Sequence, residues 1–109
     1  MLQNRNGPER FGLTEEEYGL LWDLMLEAFP PTERRDRAGM DRVLRDPSFS
    51  LLVKRDEAGA PAAFLTYWSL DGFRYVEHFA VSASLRGQGM GGRMLRELME
   101  TGGLPMVLE

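Results

Sequence analysis

Residues 85–95 read LRGQGMGGRML and set Gly87, Gly89, Gly91 and Gly92 immediately ahead of a helix-like pattern. Glycine weakens a helix start, so a chain that concentrates it there needs something from the bare backbone. The first turn of a helix exposes unpaired N–H groups and the positive end of the macrodipole. Without a Cβ in the way, an anion can approach them closely. The stretch therefore reads as a loop built to hold phosphate, with Arg86 in front of it and Arg93 one turn into the helix adding positive charge. The plainer reading, a tight turn with close helix–sheet packing alone, suits an isolated glycine pair better than four packed together.

Working outward, Met90, Met94, Leu95, Leu98 and Met99 recur at helical spacing, and Thr101, Gly102 and Gly103 stop that helix. Residues 105–109 (PMVLE) begin another apolar run. Upstream, residues 73–81 (FRYVEHFAV) read as a strand joined through Asp71-Gly72, a hairpin signal, to a strand over 63–70. A turn at 56–61 links that one to a strand over 49–55. Earlier still, Thr14 and Glu17 fit a capping box ahead of Tyr18, Leu21, Trp22, Met25 and Phe29, an amphipathic helix ended by Pro30 and Pro31. A shorter helix over 38–45 is closed by Asp46-Pro47, and residues 1–12 read as a loose arm or poor first strand that adds little to a core. The fold class is α+β: an antiparallel three-strand meander with flanking helices, and a last strand returned parallel to 73–81 through the final helix.

Composition bounds the function. A chain of 109 residues makes one domain, and 43% apolar with 28% charged residues is ordinary for a packed globular protein. The net charge of -4 gives no basic field to attract nucleic acid or an anionic membrane. With no cysteine and one histidine, disulfides, a Cys nucleophile and a metal site are not expected. The N-terminus lacks an apolar targeting core and no run reaches membrane-spanning length, so the expectation is a soluble cytoplasmic protein.

Which phosphate ligand the loop takes depends on its details. A nucleoside triphosphate loop needs Gly-Lys-Ser/Thr, where Gly91-Gly92-Arg93 stands instead. Gly87, Gly89 and Gly92 formally match the dinucleotide fingerprint, with Glu109 at about the distance of a ribose-binding acid. Residues 82–86 intervene between strand and glycines, however, and the preceding strands are hairpin-linked, so a Rossmann-like protein is a distant alternative. Arg86-Gly87-Gln88-Gly89-Met90-Gly91 fits Arg/Gln-x-x-Gly-x-Gly/Ala and, with His78-Phe79-Ala80-Val81-Ser82 ahead of it, closely resembles the acetyl-CoA binding segment of the GNAT acetyltransferase superfamily. The order of elements over residues 14–109 resembles the first two thirds of that fold.

The resemblance implies a single partial GNAT domain over residues 1–109 and acetyl-CoA as cosubstrate. By position it assigns Phe79, Ala80 and Val81 to pantetheine, and Arg86, Gly87, Gln88, Gly89, Met90, Gly91 and Gly92 to the pyrophosphate. The implied function is N-acetyl transfer to a primary amine, with a small molecule the expected acceptor. Physical reasoning agrees, since pantetheine is an extended chain with two amides that can add to a strand edge as a peptide does.

The chemistry needs a group that takes a proton from the amine. Strand alternation puts Tyr75 and Glu77 on one face and Val76, His78 and Ala80 on the other, unless a bulge intervenes. In the family the strand before the loop commonly carries a polar residue near the substrate, which makes Glu77 the catalytic candidate. A half-buried carboxylate beside Phe79 is expected to have a raised pKa, or to bind a cationic amine directly. His78, pointing away, is expected to be structural. The loop at 29–36 resembles the segment that covers the acceptor pocket in this superfamily, and its plainer reading is a charged, solvated connection.

Relative to the family, an opening strand is not evident, and a further helix and strand pair would lie beyond Glu109. A sheet edge left without that part invites a homo-oligomer or a completing partner chain. Two function classes stay open: the acetyltransferase, and a non-catalytic CoA-binding or interaction module of the same fold.

Overall fold

The structure, a computed structural model, describes residues 7–101 and 105–108. The elements follow the order a 3₁₀ turn Pro8–Phe11, helix α1 Glu15–Ala28, a second 3₁₀ turn Pro31–Glu33, helix α2 Arg37–Val43, strands β1 Phe49–Arg55, β2 Pro61–Leu70 and β3 Phe73–Val81, helix α3 Met90–Thr101, and strand β4 Met106–Leu108. The sheet order is β1-β2-β3-β4. Its first three strands are antiparallel and β4 runs parallel to β3, the arrangement expected of a meander followed by one helical crossover. Hairpin-linked strands of this kind exclude the doubly wound parallel sheet of the dinucleotide alternative. No helix among the described residues is long and apolar enough to cross a membrane.

Local chemistry explains the element boundaries. Thr14 Oγ1 accepts from the Glu17 amide at 3.0 Å while the Glu17 carboxylate accepts from the Thr14 amide at 3.1 Å, so both signals of the capping box are used. Glu17 also pairs with Arg55; that hydrogen bond first, and the Thr14 amide second, hold its carboxyl down at about 2. Helix α2 starts one residue earlier than its apolar pattern suggests, because Asp36 caps it by accepting from the Gly39 amide at 2.7 Å.

The sheet has a core on each side. Helices α1 and α2 pack Tyr18, Leu21, Met25, Met40 and Leu44 against Phe49 and Phe64 on one face. Helix α3 sets Met94 and Leu98 against Leu65 and Val76 on the other. Full burial of side chains this size is worth about 1.5–3 kcal/mol each before the entropy of ordering them. The buried Arg74 of β3 donates to the Leu98 carbonyl at 2.6 Å, tying the last turn of α3 to the sheet.

The N-terminal segment corrects the expectation of a loose arm. Pro8 is buried, Phe11 packs on the α1-side core, and Arg10 donates to the carbonyls of Leu44 and Asp46, both at 2.9 Å. The arginine thereby serves the end of α2, a role no local pattern announces. Residues 1–6 lie outside the described residues, as do Gly102 and Gly103 of the expected helix stop and Glu109 of the last strand.

Strand β3 departs from a regular sheet strand on both of its edges. Strand β4 pairs only with Arg74, Tyr75 and Val76, so among the described residues nothing pairs with that edge of residues 77–81. On its other side β3 changes register against β2: Thr66 faces His78 but Tyr67 faces Val76, leaving Glu77 as the extra residue of a bulge.

Candidate functional site

The bulge shifts the phase of the strand. Val76 packs with Met94 on the α3 face, as do Phe79 and Val81, whereas Ala80 packs on the α1 face. Strict alternation would hold Val76, His78 and Ala80 together; the inserted Glu77 breaks that rule. Neighbours in sequence thereby reach the same side, with His78 Nδ1 3.7 Å from Glu77 Oε1. The expectation that His78 points away from Glu77 is corrected accordingly.

Around Glu77 the electrostatics differ from those expected of an apolar strand. Arg35 donates twice to its carboxylate, Nη1 to Oε1 at 2.7 Å and Nη2 to Oε2 at 3.0 Å. Trp68 Nε1–H, on β2, adds a third bond to Oε1 at 3.2 Å, and the Arg35 guanidinium lies 5.8 Å from the Trp68 ring centre. Burial pushes the Glu77 carboxyl up. The Arg35 and Trp68 hydrogen bonds, with the charges of Arg35 and His78 behind them, outweigh it and hold the group below the usual carboxylate range. The expected upward shift is therefore overturned by a cation 42 positions earlier in the chain, which strand patterning does not reveal.

His78 is 8% exposed and braces the loop that follows α1. A carbonyl can only accept, so Nε2 carries the proton in its 2.9 Å bond to the Glu33 carbonyl; Phe29 meets the ring edge-on at 4.8 Å. Phe29, Thr32, Glu33, Arg34, Arg35, Glu77 and His78 line one cavity of about 740 Å³. Its walls come from residues 29–35 and from the bulge, so the loop at 29–36 is more than a solvated connection. Arg34 is held there by its Nε, which donates to the Phe29 carbonyl at 3.0 Å.

The glycine loop follows the C-terminal end of β3, and its four glycines do different work. Gly87 and Gly89 adopt φ of +80° and +69°, the left-handed region in which a Cβ is strained. Gly91 has ordinary φ, but a Cβ there would lie 3.0 Å from the Phe79 ring, so it is required by close helix–strand packing. Gly92 has neither constraint, its nearest neighbour being Arg96 Nη1 at 3.8 Å. Arg93 is the first residue of α3 whose amide finds a helical partner, the Gly89 carbonyl at 3.1 Å. None of the described hydrogen bonds uses the amides of Gly89, Met90, Gly91 or Gly92.

Side chains brace this loop from outside. Arg93 donates to the Gln88 carbonyl at 2.6 Å and Arg86 Nε to the Val81 carbonyl at 3.1 Å. Arg86 also forms an exposed ion pair with Glu27. Between loop and bulge run Phe79, Ala80 and Val81, their side chains packed on alternating faces and one main-chain edge without a strand partner. Among the described residues no group of three or more His, Cys, Asp or Glu side chains could hold a metal ion.

A run of unengaged amides, a strand edge with no partner among the described residues and a half-buried carboxylate thus lie on and just after one strand. Known proteins share the fold. The model of the acetyltransferase (GNAT) family matches residues 14–103. YjbC of Bacillus subtilis (strain 168), assigned by name to the acetyltransferases, is 30% identical over 88 residues, which are 81% of this chain and 43% of that protein. A solved GNAT-family structure from Bacteroides thetaiotaomicron is 36% identical with a TM-score of 0.74, covering 85% of this chain and 53% of its own. An aminoglycoside 6'-N-acetyltransferase complexed with coenzyme A shares the fold at 18% identity and a TM-score of 0.64, over 92% of this chain and 52% of its own. The chain spans about half the length of these relatives. With the family model matching most of its residues, the chain belongs to the GNAT acetyltransferase family.

Proposed function

We propose that this chain carries the cosubstrate site and one wall of the acceptor site of an acetyl-CoA-dependent N-acetyltransferase acting on a primary amine. The observation that supports it most is the run of unengaged amides from Gly89 to Gly92 beside the unpaired edge of residues 77–81. The residues fit the group: a diphosphate needs converging N–H donors with no Cβ between them, and pantetheine needs a strand edge. The main chain of Gly87, Gln88, Gly89, Met90, Gly91 and Gly92 would hold the pyrophosphate, with Arg86 keeping the loop closed on Val81. Main-chain groups of Phe79, Ala80 and Val81 would hold pantetheine. Bound acetyl-CoA would supply a thioester carbonyl activated toward amines.

The remaining work falls to the cavity. An ammonium is not a nucleophile, so a group there must take a proton from it. Glu77 is the group in place. With Arg35 bound its carboxyl lies below the usual carboxylate range, and loss of the Arg35 hydrogen bond and charge moves it up from that value. An acceptor ammonium in the place of Arg35 renews the charge and hydrogen bonding on Glu77, so Glu77 first binds and orients the amine and takes its proton as the thioester is attacked. His78 holds the Glu33 turn in place beside that carboxylate through its Nε2 bond.

One observation favours the second reading, a CoA-binding module without turnover: the Glu77 carboxylate is fully engaged by Arg35 and Trp68. Thermal unfolding with and without CoA, together with thiol release from acetyl-CoA over an amine panel, separates the two. The enzyme reading expects CoA to raise the Tm, an amine to release thiol, and Glu77→Gln to abolish release while leaving the CoA shift intact. A CoA shift with no thiol release from any amine, and no effect of Glu77→Gln, would establish the module instead. A small-molecule acceptor and a cytoplasmic setting accompany the enzyme reading. Exposed Val107 on the edge strand β4 supports self-association or a completing chain, which mass in solution would read.

A further inference from the structure

The exchange that an acceptor must make at Glu77 narrows what the acceptor is. The Glu77 and Arg35 side chains are only 20% and 29% exposed and are joined by two hydrogen bonds. A pair so sheltered is costly to break on one side, because the partner left behind keeps its charge where water reaches it poorly. An ammonium replacing Arg35 on Glu77 solves half of the problem. It leaves the Arg35 guanidinium without its carboxylate, next in sequence to Arg34, in the same cavity.

Arg34 sharpens the point. Its Nε is taken by the Phe29 carbonyl, and no described hydrogen bond or ion pair engages its terminal nitrogens. With Glu77 occupied by the amine, the cavity lining holds two guanidinium groups against one further carboxylate, Glu33, which is exposed and pairs with neither in the structure. A purely cationic acceptor would bring more positive charge beside Arg34 and Arg35. A neutral tail would leave Arg35 unpaired. An acceptor with its own acid group restores both halves of the broken pair, and guanidinium is the side chain best shaped to receive a carboxylate.

We infer that the acceptor is an amine that also bears an acid group, of the amino-acid or short-peptide class, its amine directed to Glu77 and its carboxylate to Arg35 and Arg34. The inference rests on the reading of this cavity as the acceptor site. It explains why a pocket meant for an amine is lined by two arginines.

The test uses the 109-residue chain saturated with CoA and three probes: alanyl-alanine, its C-terminal amide, and spermidine. Binding is measured by calorimetry and turnover by thiol release from acetyl-CoA. The dipeptide is expected to bind roughly tenfold or more tightly than its amide, the size of one charge-assisted hydrogen bond. Spermidine should bind more weakly still. Arg35→Gln should erase the preference for the free carboxylate and Arg35→Lys should keep part of it, with unchanged thermal stabilisation by CoA showing that both variants are folded. Equal or tighter binding of the amide or of spermidine overturns the inference, as does binding of none of the three. In those cases a retained CoA shift leaves the cosubstrate reading standing, whereas its absence removes that reading as well.

Discussion

The loop that follows β3 and the bulge at its middle present polar groups in opposite ways. At the loop end the groups offered are main-chain amides, and the sequence contributes mainly by leaving side chains out: Gly87 and Gly89 for conformation, Gly91 for clearance. At the bulge the groups are side chains, and Arg35 and Trp68 must arrive from separate elements to meet Glu77 and its neighbour His78. A backbone site is built from neighbours in the chain and is sensitive to added atoms. A side-chain site is built across the fold and is sensitive to lost partners.

The contrast can be broken most forcefully at Gly91. Gly91→Val puts a branched side chain where a Cβ alone would already lie 3.0 Å from the Phe79 ring. It should cost about 2–3 kcal/mol in urea unfolding, as overpacking does, and Phe79→Leu in the same chain should return part of the loss.

Next in size is Arg35→Ala, which should cost about 1–2 kcal/mol near neutral pH, between the values for exposed and buried pairs. Its pH dependence carries more information. In the parent protein the folded Glu77 pKa lies below the ordinary value. Its stabilising contribution is thus present above the unfolded carboxyl pKa of about 4.3 and is lost as pH falls through the lower folded value. Without Arg35 the folded pKa moves up from that lowered value, because its hydrogen bond and charge no longer act on Glu77. The stability that Glu77 contributes above the unfolded pKa shrinks accordingly. The stability gap between parent and variant should therefore widen from about pH 3 to pH 6, and a carboxyl titration of Glu77 by NMR should move upward. A constant gap over that window would show that Arg35 does not control this group.

Gly89→Ala tests the loop end by conformation alone. Its φ of +69° should make a Cβ cost about 1 kcal/mol even though the surrounding space is open. The smallest effect belongs to Gly92→Ala, which has ordinary backbone and open space and should stabilise α3 by about 0.5 kcal/mol. If the amide run holds a diphosphate, that stabilised variant should nonetheless bind CoA less tightly than the parent, a split that simple packing would not produce.

The same contrast explains what the sequence revealed. Strands β1 and β3, the capping box at Thr14, the hairpin at Asp71-Gly72 and the parallel return of β4 all rest on local signals, and the structure has them at the expected places. The glycine loop was legible for the same reason, although nothing in its letters distinguishes Gly91, which clears Phe79, from Gly92, which clears nothing. Glu77 stood out as a polar residue on an apolar strand. Its partners did not: Arg35 lies in a charged loop like many others, and which charge of Glu-Arg-Arg-Asp turns inward is decided by the fold. Arg10 and Arg74 escaped notice likewise, since arginines bound to distant carbonyls leave no periodic trace. The bulge was hidden most completely, because every second residue of β3 is buried along its full length, as in an unbroken strand.

That hidden residue has a consequence for descent. A strand with period two that carries one supernumerary position switches parity, so residues before and after Glu77 answer to different neighbours across the sheet. A relative that dropped this position while keeping the letters on either side would still set Tyr67 opposite Val76 and Thr66 opposite His78, so the strand would become regular while His78 and Phe79 kept their faces. Such a shortening would cost the sheet little and would remove only the carboxylate that Arg35 and Trp68 hold, so length at this spot should be kept together with those two partners.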